Sequence, residues 1–365
     1  MDNGKISGHQ LMILTMLFTM GSSILVVPSG LAGTVQQDAW LPVVVGIVVT
    51  LALSWFYLYI GSLYPDRTLV EIIEKLFGRW VGAPITLLFI VVAFCVGSGS
   101  CLYYLGDFMT TQIMPETPIQ YFHLLYILLL IQGTRLGLET LARSAEILFP
   151  FFLLLVIAFI IFVSPQIETD RLQPMLEAEF KPILQSTLSY VSFSGFPLIF
   201  MLMLTPACTD RGKRLQKKFL LGNLIGGLLI LITTILCVLV LGVDATSRSM
   251  YPNYALARKI NLFNFINRIE VIMAIIWFVS LFFKIVVYFY AGVLAMAQLL
   301  RIENYRVLTF PFGMMLYVLS LMVYPDSSFM RHWDSTIWVP LIATFGLVFP
   351  LLFVAVAIGK KFLTR

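Results

Sequence analysis

Long apolar intervals without charged residues dominate the chain. A helix needs about 20 mainly apolar residues to cross a bilayer. Nine intervals of about that length carry no charge, and a tenth is interrupted only by Lys284. The ten intervals are 10–37, 39–65, 80–106, 117–134, 147–167, 182–209, 219–243, 271–300, 307–325 and 335–359. The pattern predicts an all-α integral membrane protein in which residues 1–365 form a single transmembrane domain with ten transmembrane helices.

The distribution of positive charge predicts the orientation of these helices. Of the 24 Lys and Arg residues, 16 lie in connections on the side of the N-terminus and seven on the other side, and Lys284 lies within a span. Cytoplasmic loops carry an excess of Lys and Arg, so both termini are predicted to be cytoplasmic. The net charge of +5 reflects these loops and does not indicate nucleic-acid binding. One long outer connection, roughly 244–268, mixes aromatic and charged residues and is predicted to form a short interfacial helix.

Small and polar residues interrupt the first interval near its middle, where Gly21, Ser22 and Ser23 precede Pro28. Lipid offers no hydrogen bonds, so irregular backbone at that depth survives only when it is buried in protein or lines a polar cavity. Two interpretations stay open for this segment alone. It is a notch for close helix packing, since small residues let helices approach, or it is part of a ligand site.

The sixth interval contains a similar interruption, "SFSGFP" at 192–197. The repeats, approximately 8–163 and 182–359, hold five spans each and therefore run through the membrane in opposite directions. Broken helices at matching positions of inverted repeats point to a central ligand site, because free helix ends bind charged groups. The ligand-binding residues predicted at the two breaks are Gly21, Ser22, Ser23, Ser192, Phe193, Ser194, Gly195 and Phe196.

The third interval contributes "CVGSGSCLYYLGDFM". Tyr103 and Tyr104 bring hydroxyl groups near a possible cavity, and Tyr103 is taken as a candidate ligand-binding residue. Gly97 and Gly99 are not a nucleotide-binding fingerprint, because they lack a preceding strand and a third glycine at the required spacing. The alternative for each of these residues is helix packing or an interfacial position.

Lys284 lies far from both ends of its interval. A charge at the centre of a bilayer costs at least ~2.5–3.5 kcal/mol, so its side chain is expected to face a cavity or a partner. One interpretation is a coupling group beside the ligand site that responds to protons or replaces a cation. The other is a structural ammonium group that holds the exposed carbonyls of a broken helix. The two are compatible.

Three charged residues mark the start of the fifth span. Glu139, Arg143 and Glu146 share one helical face and are candidates for an inner gate closed by ion pairs. A solvated helix end is the alternative for Glu139 and Arg143.

Several chemical classes find no support in the residue pattern. The four cysteines lie in or beside apolar runs without a CxxC spacing, and the three histidines are scattered, so neither a metal site nor a cofactor is predicted. The sequence contains no zinc-protease, nucleophile-elbow or Walker motif. The protein is therefore not expected to be an enzyme.

These segments together resemble the B subunits of bacterial endospore nutrient-germinant receptors, the GerAB-like family. The resemblance rests on "KISGHQLMILTMLFTMGSSILVVPSGLAGTVQQDAWLP" (5–42), "MPETP" (114–118), "RLGLETLARSAEILFP" (135–150) and "KIVVYFYAG" (284–292). It covers essentially the whole chain. That family belongs to the amino acid–polyamine–organocation transporter superfamily, which implies a five-plus-five inverted-repeat (LeuT-like) fold with broken helices 1 and 6.

The resemblance also implies a function. The chain would lie in the inner membrane of the spore, with an A subunit and a lipoprotein C subunit as partners. It would bind a small nutrient, often an amino acid, at mid-membrane and trigger germination. A proton-coupled secondary amino-acid transporter, coupled through Lys284 or Glu146, is the alternative, and a purely structural anchor for a complex is a third hypothesis.

Overall fold

Each of the ten apolar intervals contains helix in the computed structural model, which describes residues 4–259 and 269–363. In the first half of the chain the α-helices are α1 (Gly8–Met20), α2 (Ser23–Val35), α3 (Trp40–Leu63), α4 (Leu69–Val91), α5 (Ser100–Phe108), α6 (Ile119–Leu136) and α7 (Leu138–Val163). In the second half they are α8 (Phe180–Ser194), α9 (Gly212–Leu241), α10 (Val243–Arg248), α11 (Pro252–Lys259), α12 (Glu270–Leu300), α13 (Arg306–Met322), α14 (Ser327–Thr336), α15 (Trp338–Ala343) and α16 (Phe349–Leu363).

Shorter irregular helices connect or extend several of these elements. Val92–Gly99, Met109–Ile113 and Thr344–Val348 are π-helical, and Phe196–Met203 continues α8 as a 3-10 helix. Across the described residues, the only β-type pairing is an isolated bridge between Ile6 and Cys208. The protein is therefore all-helical, as the apolar pattern predicts.

Most of the long helices are long enough to span a membrane. Within 4–259 and 269–363, seven helical segments are long and apolar enough to cross a bilayer. The bent pair α13 and α14, whose axes meet at 98°, makes an eighth if it counts as one span. The peripheral helices α6, α7 and α13 expose large apolar side chains such as Leu128, Leu154 and Met322. Such a surface suits lipid, and the chain is a multi-pass membrane protein.

Helix α12 forms the centre of the molecule. It packs against α1, α4, α7 and α11, and the whole stretch from Phe283 to Val293 is buried on every side. A helix that is apolar all round belongs in the interior of a large protein. Lys284 interrupts this stretch 14 residues after the first residue of α12 and 16 before the last. The one charge in the interval therefore lies at mid-helix in the core.

Two glycines of α9 allow α1 to approach closely. A Cβ atom at Gly222 would overlap the carbonyl oxygen of Met12, and one at Gly226 would lie 2.9 Å from the carbonyl oxygen of Met16. The glycines are four residues apart, the spacing that lets helix backbones meet in membranes. This contact holds the first half-helix of the chain against the second half of the sequence.

The connection between α9 and α12, which the charge distribution predicts to be an outer connection, contains two short helices, α10 and α11. Helical structure in this connection agrees with the sequence-based expectation for residues 244–259. Residues 260–268, the remainder of the predicted interfacial helix, lie outside the described residues. Asn253 and Tyr254 of α11 are buried against the rest of the protein, so α11 belongs to the packed structure.

We predict that Gly222→Ala destabilises the protein by roughly 1–3 kcal/mol, because the added methyl group meets backbone that cannot rotate away. The melting temperature of the purified protein in detergent is the measurement. Gly359→Ala is the matched control, since a Cβ there meets open space. Equal melting temperatures for the two variants would contradict the proposed close contact between α1 and α9.

Candidate functional site

Two helix ends meet near the middle of the molecule. Helix α1 ends at Met20 and α2 begins at Ser23, so Gly21 and Ser22 lie between two helices. Helix α8 ends at Ser194, and the chain continues past Gly195 as the 3-10 helix. The sequence-based breaks thus coincide with places where regular α-helix stops.

Lys284 connects these two helix ends. Its ammonium Nζ donates hydrogen bonds to Ser22 Oγ at 3.1 Å and to the carbonyl oxygen of Phe193 at 2.8 Å. The Nζ atom also lies 5.6 Å from the centroid of the Phe18 ring, within cation–π range. The side chain is 2% exposed. A buried cation needs such partners, because an uncompensated charge in a low-dielectric interior is costly.

Gly21 provides the space for the lysine side chain. A Cβ atom at this position would overlap Lys284 Cδ and lie 2.8 Å from Lys284 Cβ. Any residue other than glycine would therefore displace the lysine. The "GSS" interruption is thus a packing notch that admits the lysine side chain and supplies the Ser22 hydroxyl as an acceptor. A ligand site at this segment stays a prediction.

A small closed cavity adjoins Lys284. Its volume is about 10 Å³, roughly the space that one water molecule requires. The polar residues that line it are Ser22, Ser100, Cys101, Tyr104, Lys284, Tyr288, Tyr324, Asp334 and Trp338. A nutrient-sized molecule therefore has no room beside the lysine in this structure, and we call this space the closed cavity.

Asp334 is the principal site residue that the sequence pattern does not reveal. It is 9% exposed, and its Oδ1 accepts a hydrogen bond from the Tyr104 hydroxyl at 2.6 Å. Because Asp334 immediately precedes the charge-free interval 335–359, the sequence pattern indicates a charged residue in a loop. Only the sharp bend between α13 and α14 brings α14, and with it Asp334, down to the cavity.

A second, larger pocket lies next to the closed cavity. It measures about 180 Å³, and α2, α8, α14 and the chain between α10 and α11 form its walls. Phe193 and Asp334 line both spaces, so these two residues separate them. Arg331 also lines this pocket, which places side chains of both charges around it. We call this second space the outer pocket.

The remaining predicted ligand-binding residues lie near the site but do not line the closed cavity. Ser23 is buried at the start of α2, and its Oγ has no hydrogen-bond partner among the described residues. Ser192 donates to the carbonyl of Ser189 within α8, and Ser194 is buried at the end of that helix.

Gly195, Phe196 and Tyr103 have packing contacts. A Cβ atom at Gly195 would lie 2.5 Å from Thr50 Cγ2 of α3, and Phe196 packs against Gly346. The ring of Tyr103 packs edge-to-face against the ring of Tyr324, with ring centroids 5.2 Å apart, while its neighbour Tyr104 lines the cavity. Of the sixth-span break, Phe193 alone reaches the closed cavity.

The three candidate gating residues divide into two separate contacts. Arg143 pairs with Glu139 at 2.6 Å, and both side chains are well exposed, at 68% and 42%. Glu146 instead accepts a hydrogen bond from Gln10 Nε2 at 2.8 Å. Gln10 also completes a capping box with Ser7 at the start of α1. The arrangement links α7 to the N-terminus of α1, and the gating role of the three residues stays a prediction.

The overall fold is that of membrane transporters. Mhp1, a transporter of the nucleobase-cation-symport-1 family in a closed conformation with bromovinylhydantoin bound, superimposes with a TM-score of 0.70 at 10% identity, covering 95% of this chain and 79% of that one. The Eremococcus coleocola manganese transporter gives a TM-score of 0.63 at 14% identity, covering 95% and 78%. At these identities the likeness concerns the fold.

Sequence comparison identifies the family. The chain belongs to the spore germination protein family, whose sequence profile matches residues 5–330. It is 30% identical to spore germination protein KB of Bacillus subtilis (strain 168), over 99% of this chain and 96% of that protein. The resemblance drawn from the opening motif is confirmed.

Gly21→Ala is predicted to lower the melting temperature, because the added methyl group pushes Lys284 from Ser22 and the Phe193 carbonyl. Loss of a hydrogen bond to a charged group costs about 1.5–3 kcal/mol. Gly33→Ala, in α2, is the control: its Cβ would make only an ordinary contact at 3.8 Å, and alanine favours a helix by up to ~1 kcal/mol. A Gly21→Ala variant as stable as the Gly33→Ala variant would refute the predicted contact.

Proposed function

We propose that this chain is a nutrient-germinant receptor subunit of bacterial endospores. Its ten intervals form ten transmembrane helices in a five-plus-five inverted repeat with broken helices 1 and 6, and a small nutrient binds at mid-membrane beside Lys284. The bridge from Lys284 to Ser22 and to the Phe193 carbonyl carries this proposal. It joins one broken helix from each repeat to the core helix α12, so a ligand that changes the bridge moves both repeats.

The chemistry of the lysine favours a ligand with an acidic oxygen group. The ammonium group now uses a hydroxyl and a carbonyl as acceptors. A carboxylate would be a stronger acceptor, because hydrogen bonds between charged groups are shorter and roughly twice as strong. An amino acid offers such a carboxylate. Mhp1, with a related fold, was crystallised with a small organic ligand in a closed conformation, which supports an occluded site in this architecture.

The nutrient enters through the outer pocket in this proposal. Both termini are cytoplasmic, which places α10, α11 and the outer pocket on the opposite side of the membrane. The outer pocket of about 180 Å³ has room for a small nutrient, whereas the closed cavity does not. Entry then requires Phe193 and Asp334 to move apart. Asp334 receives the nutrient's amino group, and Lys284 receives its carboxylate in an opened state.

Binding becomes a signal through a change in conformational equilibrium. A ligand shifts that equilibrium only by its different affinity for the two states. When the nutrient is bound to Lys284, the change to the opened state acts on an A subunit and a lipoprotein C subunit in the inner membrane of the spore. Membership of the spore germination protein family supports this setting and favours a receptor over an enzyme.

A proton-coupled secondary amino-acid transporter is the second candidate, and the transporter fold favours it. Uptake of labelled amino acids into vesicles that contain this chain alone distinguishes the two functions. Saturable uptake supports the transporter. A nutrient response that needs partner subunits, without uptake, supports the receptor.

The central experiment measures germination of spores that carry Ser22→Ala or Lys284→Met in place of the wild-type chain. Ser22→Ala is expected to lower the nutrient concentration for half-maximal response by about ten-fold or more, because it removes a hydrogen bond of about 1.5–3 kcal/mol that stabilises the closed state. Lys284→Met is expected to raise that concentration by about ten-fold or more, because the nutrient carboxylate loses its ammonium partner. Lys217→Met, at an exposed position of α9, is the control, and immunoblots of membranes check protein amounts. Wild-type sensitivity in both variants would exclude this site and would favour a structural anchor.

Asp334→Asn is predicted to reduce discrimination in favour of an amino group. Spores are compared for their response to an effective amino acid and to its α-hydroxy analogue, which lacks the ammonium group. The wild-type preference should fall by about ten-fold or more in the variant, because the carboxylate partner is lost.

Asp326→Asn provides a matched control for that charge change. Asp326 is exposed at the first turn of α14, and asparagine caps a helix as well as aspartate does. An unaltered preference in Asp334→Asn spores would remove Asp334 from the recognition of the nutrient.

A further inference from the structure

A proline in α2 leaves one backbone acceptor without its regular partner. In an α-helix the carbonyl of residue i accepts the N–H of residue i+4. Pro28 is the i+4 residue for Ile24, and proline has no N–H to donate. Ile24 is buried, so water does not reach its backbone carbonyl to replace the missing donor. A buried carbonyl in this position requires another donor.

Asn253 supplies that donor from the outer connection. Its side-chain Nδ2 donates to the carbonyl oxygen of Ile24, and its Oδ1 accepts from the Cys237 thiol at 3.0 Å. Asn253 is fully buried near the start of α11, and Cys237 is fully buried in α9. Both ends of the amide are thus used, and α11 is joined to the first turns of α2.

This contact lies about half a helical turn beyond the Lys284 bridge. Ser22, which accepts from Lys284, is two residues before Ile24. A second, more exposed hydrogen bond also joins α2 to the outer connection: Ser29 Oγ donates to the carbonyl of Ser247, in α10, at 3.0 Å. Any displacement of α2 at the lysine is therefore applied directly to the outer connection.

We propose that Asn253 is a positioning residue that replaces the helix donor missing at Pro28 and thereby fixes α2 to α11. This holds the Ser22 end of α2 in place for Lys284, and it makes the sensitivity to nutrient depend on a residue that does not contact the nutrient. The part concerning sensitivity rests on the proposed receptor function. The attachment of α2 to α11 is independent of it.

The attachment is tested by a double-mutant cycle on the purified full chain. Asn253→Ala is expected to lower the melting temperature by roughly 2–4 °C and to speed amide hydrogen exchange in α2. Pro28→Ala gives residue 28 an N–H that can bond to Ile24, so the double variant should recover most of the stability. Unchanged exchange in α2 of Asn253→Ala, or an absence of recovery in the double variant, would overturn the attachment.

Two further variants separate the two ends of the amide. Asn253→Asp keeps an acceptor for Cys237 but cannot donate to Ile24, so it should resemble Asn253→Ala or be worse. Cys237→Ala removes the thiol bond alone and should leave exchange in α2 near the wild-type rate. The reverse order would assign the effect to Cys237.

Germination of spores that carry the same variants tests the positioning role. We use the common amino acid that gives the strongest wild-type response. Asn253→Ala weakens the Ser22–Lys284 bond of the closed state, so we expect it to lower the half-maximal concentration at least five-fold at equal protein amount, with recovery by Pro28→Ala. A purely structural residue would reduce the amount of protein and leave the half-maximal concentration unchanged, which would overturn the positioning role. Failure of wild-type spores to respond to any amino acid would instead count against the proposed ligand class, while the exchange measurements still decide the attachment.

Discussion

One buried ammonium group sets the constraints for the rest of the structure. Lys284 cannot reach water from the middle of α12, so the fold must bring acceptors to it. A regular helix has none to spare at mid-span, because its carbonyls already bond within the helix. The interruption after α1 brings the side-chain hydroxyl of Ser22 to the lysine, and the end of α8 leaves the backbone carbonyl of Phe193 available to it. The lysine and the two helix ends thus require one another.

The same need for partners explains other motif residues. The "KISxxQ" start of the chain forms a capping box in which Ser7 and Gln10 satisfy each other's backbone N–H groups, and Gln10 then reaches Glu146. Asp38, in the "DAW" motif, accepts three backbone N–H groups from residues 176–178, in the connection between α7 and α8. These residues therefore hold the helix ends of one part of the chain to another.

Sequence reasoning reached the all-helical membrane class from the long apolar intervals. It singled out the two interruptions and Lys284 because each is a local departure from that apolar pattern. It could not separate Tyr103 from Tyr104, since both are aromatic neighbours on one helix and only the packing decides which faces the cavity. It also missed Asp334 and Asn253, which lie in apparent connections. Their burial depends on the bend before α14 and on the docking of α11, and neither leaves a signal in hydrophobic periodicity.

For the receptor proposed above, the closed cavity and the Lys284 bridge favour a sensor with a distinct opened state rather than a permanently open passage. Opening must separate Phe193 from Asp334 while the ammonium group keeps acceptors, since a bare buried charge would cost more than a small nutrient can return. A nutrient carboxylate meets that condition because it replaces the acceptors that opening removes. In the proposed receptor, ligand selectivity and triggering then have one physical origin. Only a ligand able to take over the lysine's partners can stabilise the opened state.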